Sequence, residues 1–501
     1  MLNHILYSVK NNRYIFPLLI FFTSTIVYSL FLLEGFGEPD SARIGVSIIN
    51  ILENGISSPL STYYFSDNIP LYMAYLKFLL NILSFNYSNL PQLMNITNVL
   101  FSILNLQIIY LFTYKLFNNR IMSFSIVILF IFTPGNFISS IYGFPHIIAN
   151  TFFLLSLYLF LHLLENNRLK NYILPVYLLS MIFAISSKSD IIIAFGAFYG
   201  ILYYTDKLNL KNILWTTLSI IISLLIFYFI RHKLFPNIEG STTSTINFVN
   251  WFAEFKPELK DINTLLQKQI KPIVFTFGVI TTLITIVFLV FGIIKKHWKP
   301  IILLILWSAP IITFWLIIAG NSARHNFSAI LPILIFTILS LHYNFKNKIL
   351  ILVFLIILGN AIITPISTST GSPSARLFKS ARLINTSRNN NHKLGQLISN
   401  IHHPNIIIFG SYKNPWIVYE IIKLSESYCV KTIEGRENFE LNVVKNNETF
   451  TYKFFYDYKN SDVMNIDWPV ITLIENYELL CNLGYTVISM NTDCHQNIII
   501  K

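Results

Sequence analysis

The chain has 501 residues, of which 54% are hydrophobic and 12% charged, and its formal net charge is +12. A soluble protein averages about 25% charged residues, so this composition excludes an ordinary globular protein and indicates a polytopic membrane protein. The positive charge does not indicate nucleic-acid binding, because much of it lies in short loops between apolar runs, where Lys and Arg set topology. The three cysteines form neither a disulfide framework nor a zinc motif.

The first apolar run covers residues 14–33 and follows Lys10 and Arg13. These basic residues predict a cytoplasmic N-terminus and an extracytoplasmic position for the segment after the run. The run has no small-residue cleavage site, so we interpret it as a retained span and not as a signal peptide.

The next segment, residues 37–52, has the pattern of an amphipathic helix that begins just outside a membrane span. Apolar residues follow Arg43 at the spacing of one helical face. Such a helix should lie along the bilayer surface, with Asp40 in its first turn at the water–lipid boundary. A carboxylate there is suited to accept a proton from a polar acceptor that attacks a lipid-borne donor. On spacing alone, the alternative is that Asp40 only caps the helix and Arg43 only anchors it.

Residues 69–83 form an apolar run of about 15 residues, which as a helix reaches roughly 22 Å, less than the hydrocarbon core of about 30 Å. We predict a second interfacial helix here, because counting it as a span would place most of the basic loop residues outside. With the first run, about eleven spans are then predicted. The others cover residues 93–114, 121–137, 147–164, 172–186, 191–204, 213–230, 273–294, 301–318, 327–341 and 349–363.

This topology places several charged or titratable side chains from four separate segments at the outer membrane face. They are Asp40, Arg43, His146, Lys188, Arg324 and His325. Each alone has a plain alternative, since a charge at a membrane boundary is often a snorkelling anchor. As a set they are what a site at the outer leaflet requires.

After Thr364 the composition changes. Residues 366–395 are rich in Ser, Asn and Arg and are predicted to be a linker. Residues 396–501 are predicted to form a small α/β domain outside the membrane that folds without the membrane part. Its predicted strands cover residues 406–409, 430–433, 450–455, 470–474, 485–490 and 498–500, and its predicted helices residues 415–424 and 476–483. The domain has no dinucleotide-binding, P-loop or nucleophile-elbow motif.

Several short motifs occur in a defined order along the chain. Residues 39–44 match a Pro-Asp-acidic-x-Arg-Tyr pattern that opens an interfacial helix, and Tyr64 lies in an aromatic run before a Pro-Leu-Tyr at residues 70–72. Lys188 follows Ser187 in place of a Thr-Lys-Gly turn, and residues 324–325 are an Arg-His pair before an apolar span. Residues 1–365 thereby resemble the GT-C superfamily of polytopic glycosyltransferases. Within it they resemble the branch of lipid A aminoarabinose transferases and related polyprenyl-phosphate-sugar transferases, akin to protein O-mannosyltransferases.

The resemblance implies a mostly α-helical polytopic membrane protein with a small C-terminal α/β extracytoplasmic domain, located in the plasma (inner) membrane. It implies transfer of a sugar from a polyprenyl-phosphate donor to a lipid, glycan or protein acceptor of the cell envelope, in one inverting step. Asp40 would deprotonate the acceptor, and Lys188 and Arg324 would bind the leaving phosphate. The other substrate-binding residues implied are Arg43, Tyr64, His146 and His325.

Two positions depart from the family pattern. Ser41 occupies the second acidic position of the first motif, and His146, after Tyr142, replaces a second catalytic-loop Asp. Where that Asp helps to hold a metal, its loss puts metal dependence in doubt, so a divalent metal is left open as a cofactor and no metal ligand is assigned.

Two other function classes are kept as alternatives. A lipid-linked oligosaccharide ligase or polymerase would not require an acidic residue at the start of the first loop. A polysaccharide transporter or flippase would perform no chemistry and would usually place ionisable groups near the membrane midplane. The near absence of charge in the middle of the predicted spans argues against the transporter.

Overall fold

The computed structural model describes residues 14–32, 35–36, 39–55, 69–83, 87–165, 170–234, 271–317, 323–345, 348–363, 365–367, 373–376, 392, 395–396, 398–400, 405–409, 414–434, 438–455, 470–472, 486–489 and 497–500. The chain divides into two compact units, each built from separate stretches of sequence. The first unit comprises Met1–Leu32, Asn68–Tyr72 and Met94–Ile384, and the second comprises Leu33–Asp67, Met73–Leu93 and Asn385–Lys501. The domain boundaries predicted near residues 365 and 395 stay a prediction.

The described elements are mainly helices. They are α1 (Ile15–Leu30), α2 (Pro39–Asn54), α3 (Pro70–Leu83), α4 (Leu90–Phe117), α5 (Arg120–Ile131), α6 (Pro134–Ile141), α7 (His146–Glu165), α8 (Lys170–Ser187), α9 (Gly196–Tyr204), α10 (Leu210–Leu234), α11 (Lys271–Phe277), α12 (Val279–Ile294), α13 (Trp298–Ile317), α14 (Ile330–Phe345), α15 (Ile349–Ile363) and α16 (Asn414–Lys423). Short 3-10 helices cover Tyr87–Asn89, Ser189–Phe195 and Ala323–Ala329. The strands are β1 (Pro365–Ser367), β2 (Pro373–Arg376), β3 (Asn405–Phe409), β4 (Ser427–Glu434), β5 (Asn438–Lys445), β6 (Glu448–Phe455), β7 (Val470–Thr472), β8 (Thr486–Ser489) and β9 (Asn497–Ile500).

Long apolar helices make the chain a mostly helical integral membrane protein, as predicted. Among the described residues, four helical segments are long and apolar enough to cross a membrane, or five if α5 and α6 form one bent span. The four are Tyr87–Phe117, His146–Glu165, Leu210–Lys233 and Asn326–Phe345. Seven further apolar helices are 10–17 residues long, α3 among them. The count of about eleven spans, and the interfacial position of α3, stay predictions.

One helix in the core of the first unit, α14, is buried around its whole circumference. Every residue of α14 from Ile330 to Leu339 is buried, as expected for a helix that is hydrophobic around its whole circumference. Trp307 of α13 is fully buried as well. The described residues of this unit also include an antiparallel pair, β1 with β2, which begins at Pro365 and lies otherwise in the segment predicted to be a linker.

In two of the predicted spans the helix is interrupted. The segment at residues 121–137 bends by 65° between α5 and α6, where Thr133 is extended and Pro134 opens the next helix. The segment at residues 273–294 breaks at Gly278, whose φ of +89° strongly favours glycine. The break is closed by Asn360, whose Oδ1 accepts from the backbone N–H of Ile280 at 3.0 Å. Prolines and glycines are tolerated in such spans when a neighbouring helix supplies the missing partner.

The second unit contains a five-stranded sheet in the order β4-β5-β6-β3-β7. The first three strands are antiparallel, and β3 is parallel to both β6 and β7. Alternate residues bury one face of the sheet: Ile406, Ile408, Leu441, Val443, Phe450, Tyr452 and Phe454. The prediction of short strands and a helix after residue 396 is thus confirmed for α16 and six strands, whereas β5 was missed. The helix predicted at residues 476–483 lies outside the described residues.

The second unit also contains the first-loop helix α2, within two residues of its predicted bounds at both ends. Apolar residues from Ala42 to Ile49 are buried, and α2 packs against α16. The interaction joins the start of the chain to its C-terminal region, which composition and periodicity did not indicate.

Candidate functional site

The first motif places an acid and a base side by side in the first turn and a half of α2. The Nη1 of Arg43 donates to Oδ1 of Asp40 at 3.2 Å, as residues three apart on a helix can. The two side chains are 13% and 16% exposed for Asp40 and Arg43. The pair therefore orients the carboxylate in a position that is largely shielded from water. A negative charge in the first turn is also favoured by the backbone N–H groups there.

A second cluster lies in the first unit, where α7 begins and α8 ends. The Oδ2 of Asp190 is 3.7 Å from Nζ of Lys188 and 3.8 Å from Nε2 of His146. These distances are in the range of ion pairs and longer than hydrogen bonds. Lys188 is 16% exposed and Asp190 19% exposed, so one mostly buried carboxylate lies near two basic side chains.

The loop before α7 fixes where His146 lies. The ring of Phe144 stacks on the His146 imidazole with centroids 4.8 Å apart. The Nδ2 of Asn98, on α4, donates to the carbonyl oxygens of Ser139 and Tyr142. These two hydrogen bonds hold the end of α6 and the start of the loop that leads to α7. Asn98 is fully buried. An amide on one helix thus satisfies the backbone at the end of another, which suits a membrane segment where water supplies few partners.

A third segment meets this cluster at the level of the backbone. The 3-10 helix Ala323–Ala329 packs against α7 and against the turn Ser189–Phe195. Arg324 and His325 belong to this segment, and their side chains lie outside the described part of the chain. The structure therefore brings together the segments of His146, Lys188 and the Arg-His pair, which sequence predicted to share one membrane face.

No protein-family model and no curated protein sequence matches the chain. Its structure is similar to that of ArnT from Cupriavidus metallidurans bound to undecaprenyl phosphate, with a TM-score of 0.57, 9% identity and 98% of each chain covered. The chain has the GT-C fold. ArnT in the apo state is similar with a TM-score of 0.54 and 8% identity, over 96% of this chain and 97% of that chain. The Archaeoglobus fulgidus oligosaccharyltransferase in the apo form gives a TM-score of 0.48 and 11% identity, over 82% of this chain and 64% of that chain.

The predicted resemblance to GT-C glycosyltransferases is confirmed as a fold. The structure places Asp40 and Arg43 together in the second unit, and His146 and Lys188 together in the first. Tyr64 lies outside the described residues. Their roles stay predictions.

Asp190 was not among the site residues predicted from the sequence. Its position two residues after Lys188 was a local signal that a carboxylate could compensate that charge. Its distance from His146 depends on how α7 packs on α8. Among the described residues, no group of three or more His, Cys, Asp and Glu side chains could hold a metal ion.

Proposed function

We propose that this GT-C chain is a membrane glycosyltransferase that moves a sugar from a polyprenyl-phosphate donor to a cell-envelope acceptor. The observation that carries the proposal is the likeness over 98% of both chains to ArnT, an aminoarabinose transferase solved with undecaprenyl phosphate bound. The polar clusters at Asp40 and at Lys188 add the kinds of side chain that such a transfer uses. The donor lipid and the bilayer are then its partners, and the acceptor is a lipid, a glycan or a protein.

Lys188 and Arg324 are the residues we propose for the donor phosphate. The phosphate leaves with the electrons of the glycosidic bond, so negative charge grows on its oxygens in the transition state. An ammonium or guanidinium group in a poorly hydrated place forms strong charge-assisted hydrogen bonds to such oxygens. Asp190, 3.7 Å from Lys188, would compensate the ammonium before a donor binds and would be displaced as its main partner by the phosphate.

Asp40 is the residue we propose as the general base. Its carboxylate would take the proton of the acceptor hydroxyl while that oxygen attacks the anomeric carbon and the phosphate departs. One displacement inverts the configuration at that carbon. Arg43, 3.2 Å away, would keep the carboxylate oriented. The residues we propose to bind substrate groups are Tyr64, His146 and His325. His146 occupies the position at which the GT-C enzymes that the chain resembles have an Asp.

The test compares envelope glycans and glycoproteins by mass spectrometry with and without the protein, and then with Asp40→Asn. A base contributes about 10²–10⁴ in rate, so Asp40→Asn should abolish the product that depends on the chain while leaving its amount in the membrane unchanged. Glu53→Gln is the matched control, because it removes an exposed carboxylate from the other end of α2. That variant should keep the product.

Two outcomes contradict the proposal. If Asp40→Asn retains the product at the wild-type level, the base is not Asp40, and a ligase or polymerase becomes the better reading. If loss of the protein changes only the side of the membrane on which a glycan lipid accumulates, the chain is a transporter.

A further inference from the structure

The short segment before α2 is held by the C-terminal part of the second unit. The backbone N–H of Phe36 donates to Nε2 of His392 at 3.2 Å, across 356 residues of sequence. The Phe36 ring stacks on the His392 imidazole with ring centroids 5.8 Å apart. The ring of Tyr419 packs edge-on against the Phe36 ring, with centroids 4.7 Å apart. Phe36 is fully buried by these contacts.

His392 is in turn fixed by a buried carboxylate on α16. Its Nδ1 lies 2.7 Å from Oε1 of Glu420, and Oε2 of Glu420 lies 2.9 Å from Nζ of Lys423. The Glu420 side chain is only 2% exposed. Burial alone would raise the pKa of Glu420, but its two basic neighbours, His392 and Lys423, hold it below its ordinary value. Because Nε2 accepts from the Phe36 N–H, the ring proton is on Nδ1, and Nδ1–H donates to the Glu420 carboxylate.

The Phe36 ring transmits this arrangement to α2. It lies so close to Gly45 that a Cβ at that position would overlap the ring. Gly45 is on α2, two residues after Arg43 and five after Asp40. Contacts from the C-terminal region therefore hold the first half of α2.

We propose that His392 and Glu420 are positioning residues, which fix the start of α2 and thereby the place of the Asp40 carboxylate. The proposal rests on the proposed function of Asp40 as the base. A catalytic group must be held within about 0.5 Å of its productive position, and a displacement of about 1 Å can cost about 10²-fold in rate. A short interfacial helix has few local means of achieving this. Here the His392–Glu420 pair supplies them from a distant part of the chain.

The experiment uses the full chain and two substitutions at position 392. His392→Leu removes both hydrogen bonds, whereas His392→Gln keeps a donor for Glu420 and an acceptor for the Phe36 N–H. Thr451→Val is the matched control, because it removes a 2.7 Å hydrogen bond to Asn442 from the sheet of the same unit. Three quantities are measured: turnover of the glycan product, binding of undecaprenyl phosphate by native mass spectrometry, and hydrogen–deuterium exchange in residues 39–54.

His392→Leu should lower turnover about 10–100-fold and leave undecaprenyl phosphate binding within about twofold, because the proposed phosphate ligands are elsewhere. It should also speed exchange in residues 39–54. His392→Gln should keep turnover and the exchange rate of residues 39–54 close to the wild-type values, and Thr451→Val should change neither quantity. Glu420→Gln keeps the shape of the carboxyl group and provides a milder variant should His392→Leu fail to fold. It should speed exchange in the same peptide.

The proposal is overturned if His392→Leu or Glu420→Gln leaves exchange in residues 39–54 at the wild-type rate, or if Thr451→Val speeds it equally. It is also overturned if exchange rises while turnover stays unchanged in a chain that Asp40→Asn inactivates. Failure of the proposed function is a separate result, since then Asp40→Asn itself keeps full turnover, whatever happens at position 392.

Discussion

Removing the charge of Lys188 should weaken binding of the donor phosphate. The size of the loss can be estimated from the distance between the charges and the exposure of the side chain. Lys188→Met keeps the length and the apolar stem of the side chain but not the ammonium. Two unit charges about 4 Å apart interact by about 4 kcal/mol at the effective dielectric constant of about 20 that suits partly buried sites. Lys188 is 16% exposed, so solvent screening reduces this value. We expect a loss of about 2 kcal/mol, which is about 30-fold in Kd.

Two variants at the same cluster give the matched comparison. Lys188→Arg keeps the charge and should lose less than about threefold in affinity, because the phosphate interacts with a cation in both cases. Asp190→Asn removes the carboxylate 3.7 Å from Lys188, which competes with the phosphate for the ammonium. It should tighten binding or leave it unchanged.

The assay is titration of the purified full chain with undecaprenyl phosphate, followed by native mass spectrometry. Undecaprenol, which has the same chain without the phosphate, is the ligand control and should bind all variants alike. If Lys188→Met binds undecaprenyl phosphate with the wild-type Kd, the ammonium does not face the phosphate. Lys188 would then be an interfacial anchor, and the electrostatic reasoning would fail for this cluster.

Three further predictions concern stability and topology. Asn360→Leu should lower the free energy of unfolding by about 2 kcal/mol in thermal unfolding of the full chain, because the N–H groups of Ile280 and Thr281 lose their acceptor; an unchanged midpoint would show that this capping contributes nothing. Burial would raise the pKa of Glu420, but its basic partners lower it in the native state. The ionised Glu420 should therefore contribute fully to the free energy of unfolding above the ordinary pKa of 4.5, and this contribution should be lost as the pH falls through the lowered native pKa. Glu420→Gln should lack this acid-dependent part, as measured by unfolding at a series of pH values. Single cysteines at positions 66 and 86, which lie outside the described residues, should be labelled from the same outer side, and labelling from opposite sides would invert every later loop.

The helices could largely be predicted from the sequence because long apolar runs end at polar or basic residues. The predicted bounds of α7 are within one residue of the structure at each end, and the predicted bounds of α15 agree with the structure at both ends. The two broken spans had different signals. Pro134 was visible in the sequence, whereas the acceptor that makes the break at Gly278 tolerable is Asn360, on another helix. Strand β5 was missed although its alternating apolar residues are a local signal.

The candidate site could be predicted in its residue types but not in its contacts. The first motif indicated Asp40 and Arg43 together, since residues three apart share a helical face. The approach of Asp190 to His146 depends on packing between helices, and so does the support that Asn98 gives to the loop before α7. No local pattern encodes such distances.

Independent folding of the C-terminal domain stays a prediction, and the structure indicates what a fragment would lose. Every residue of α16 from Pro415 to Ile422 is buried, and α2 is one of the elements that pack on it. A fragment that begins at residue 396 would lack both α2 and His392, so the buried Glu420 would keep Lys423 but lose its second basic partner. Removing one partner of a buried carboxylate is strongly destabilising, whereas an exposed pair contributes little. A fragment that begins at residue 385 would keep His392. The proposed function of Asp40 and the stability of the C-terminal region are therefore best tested in the full chain, because α2, which carries Asp40, packs on α16.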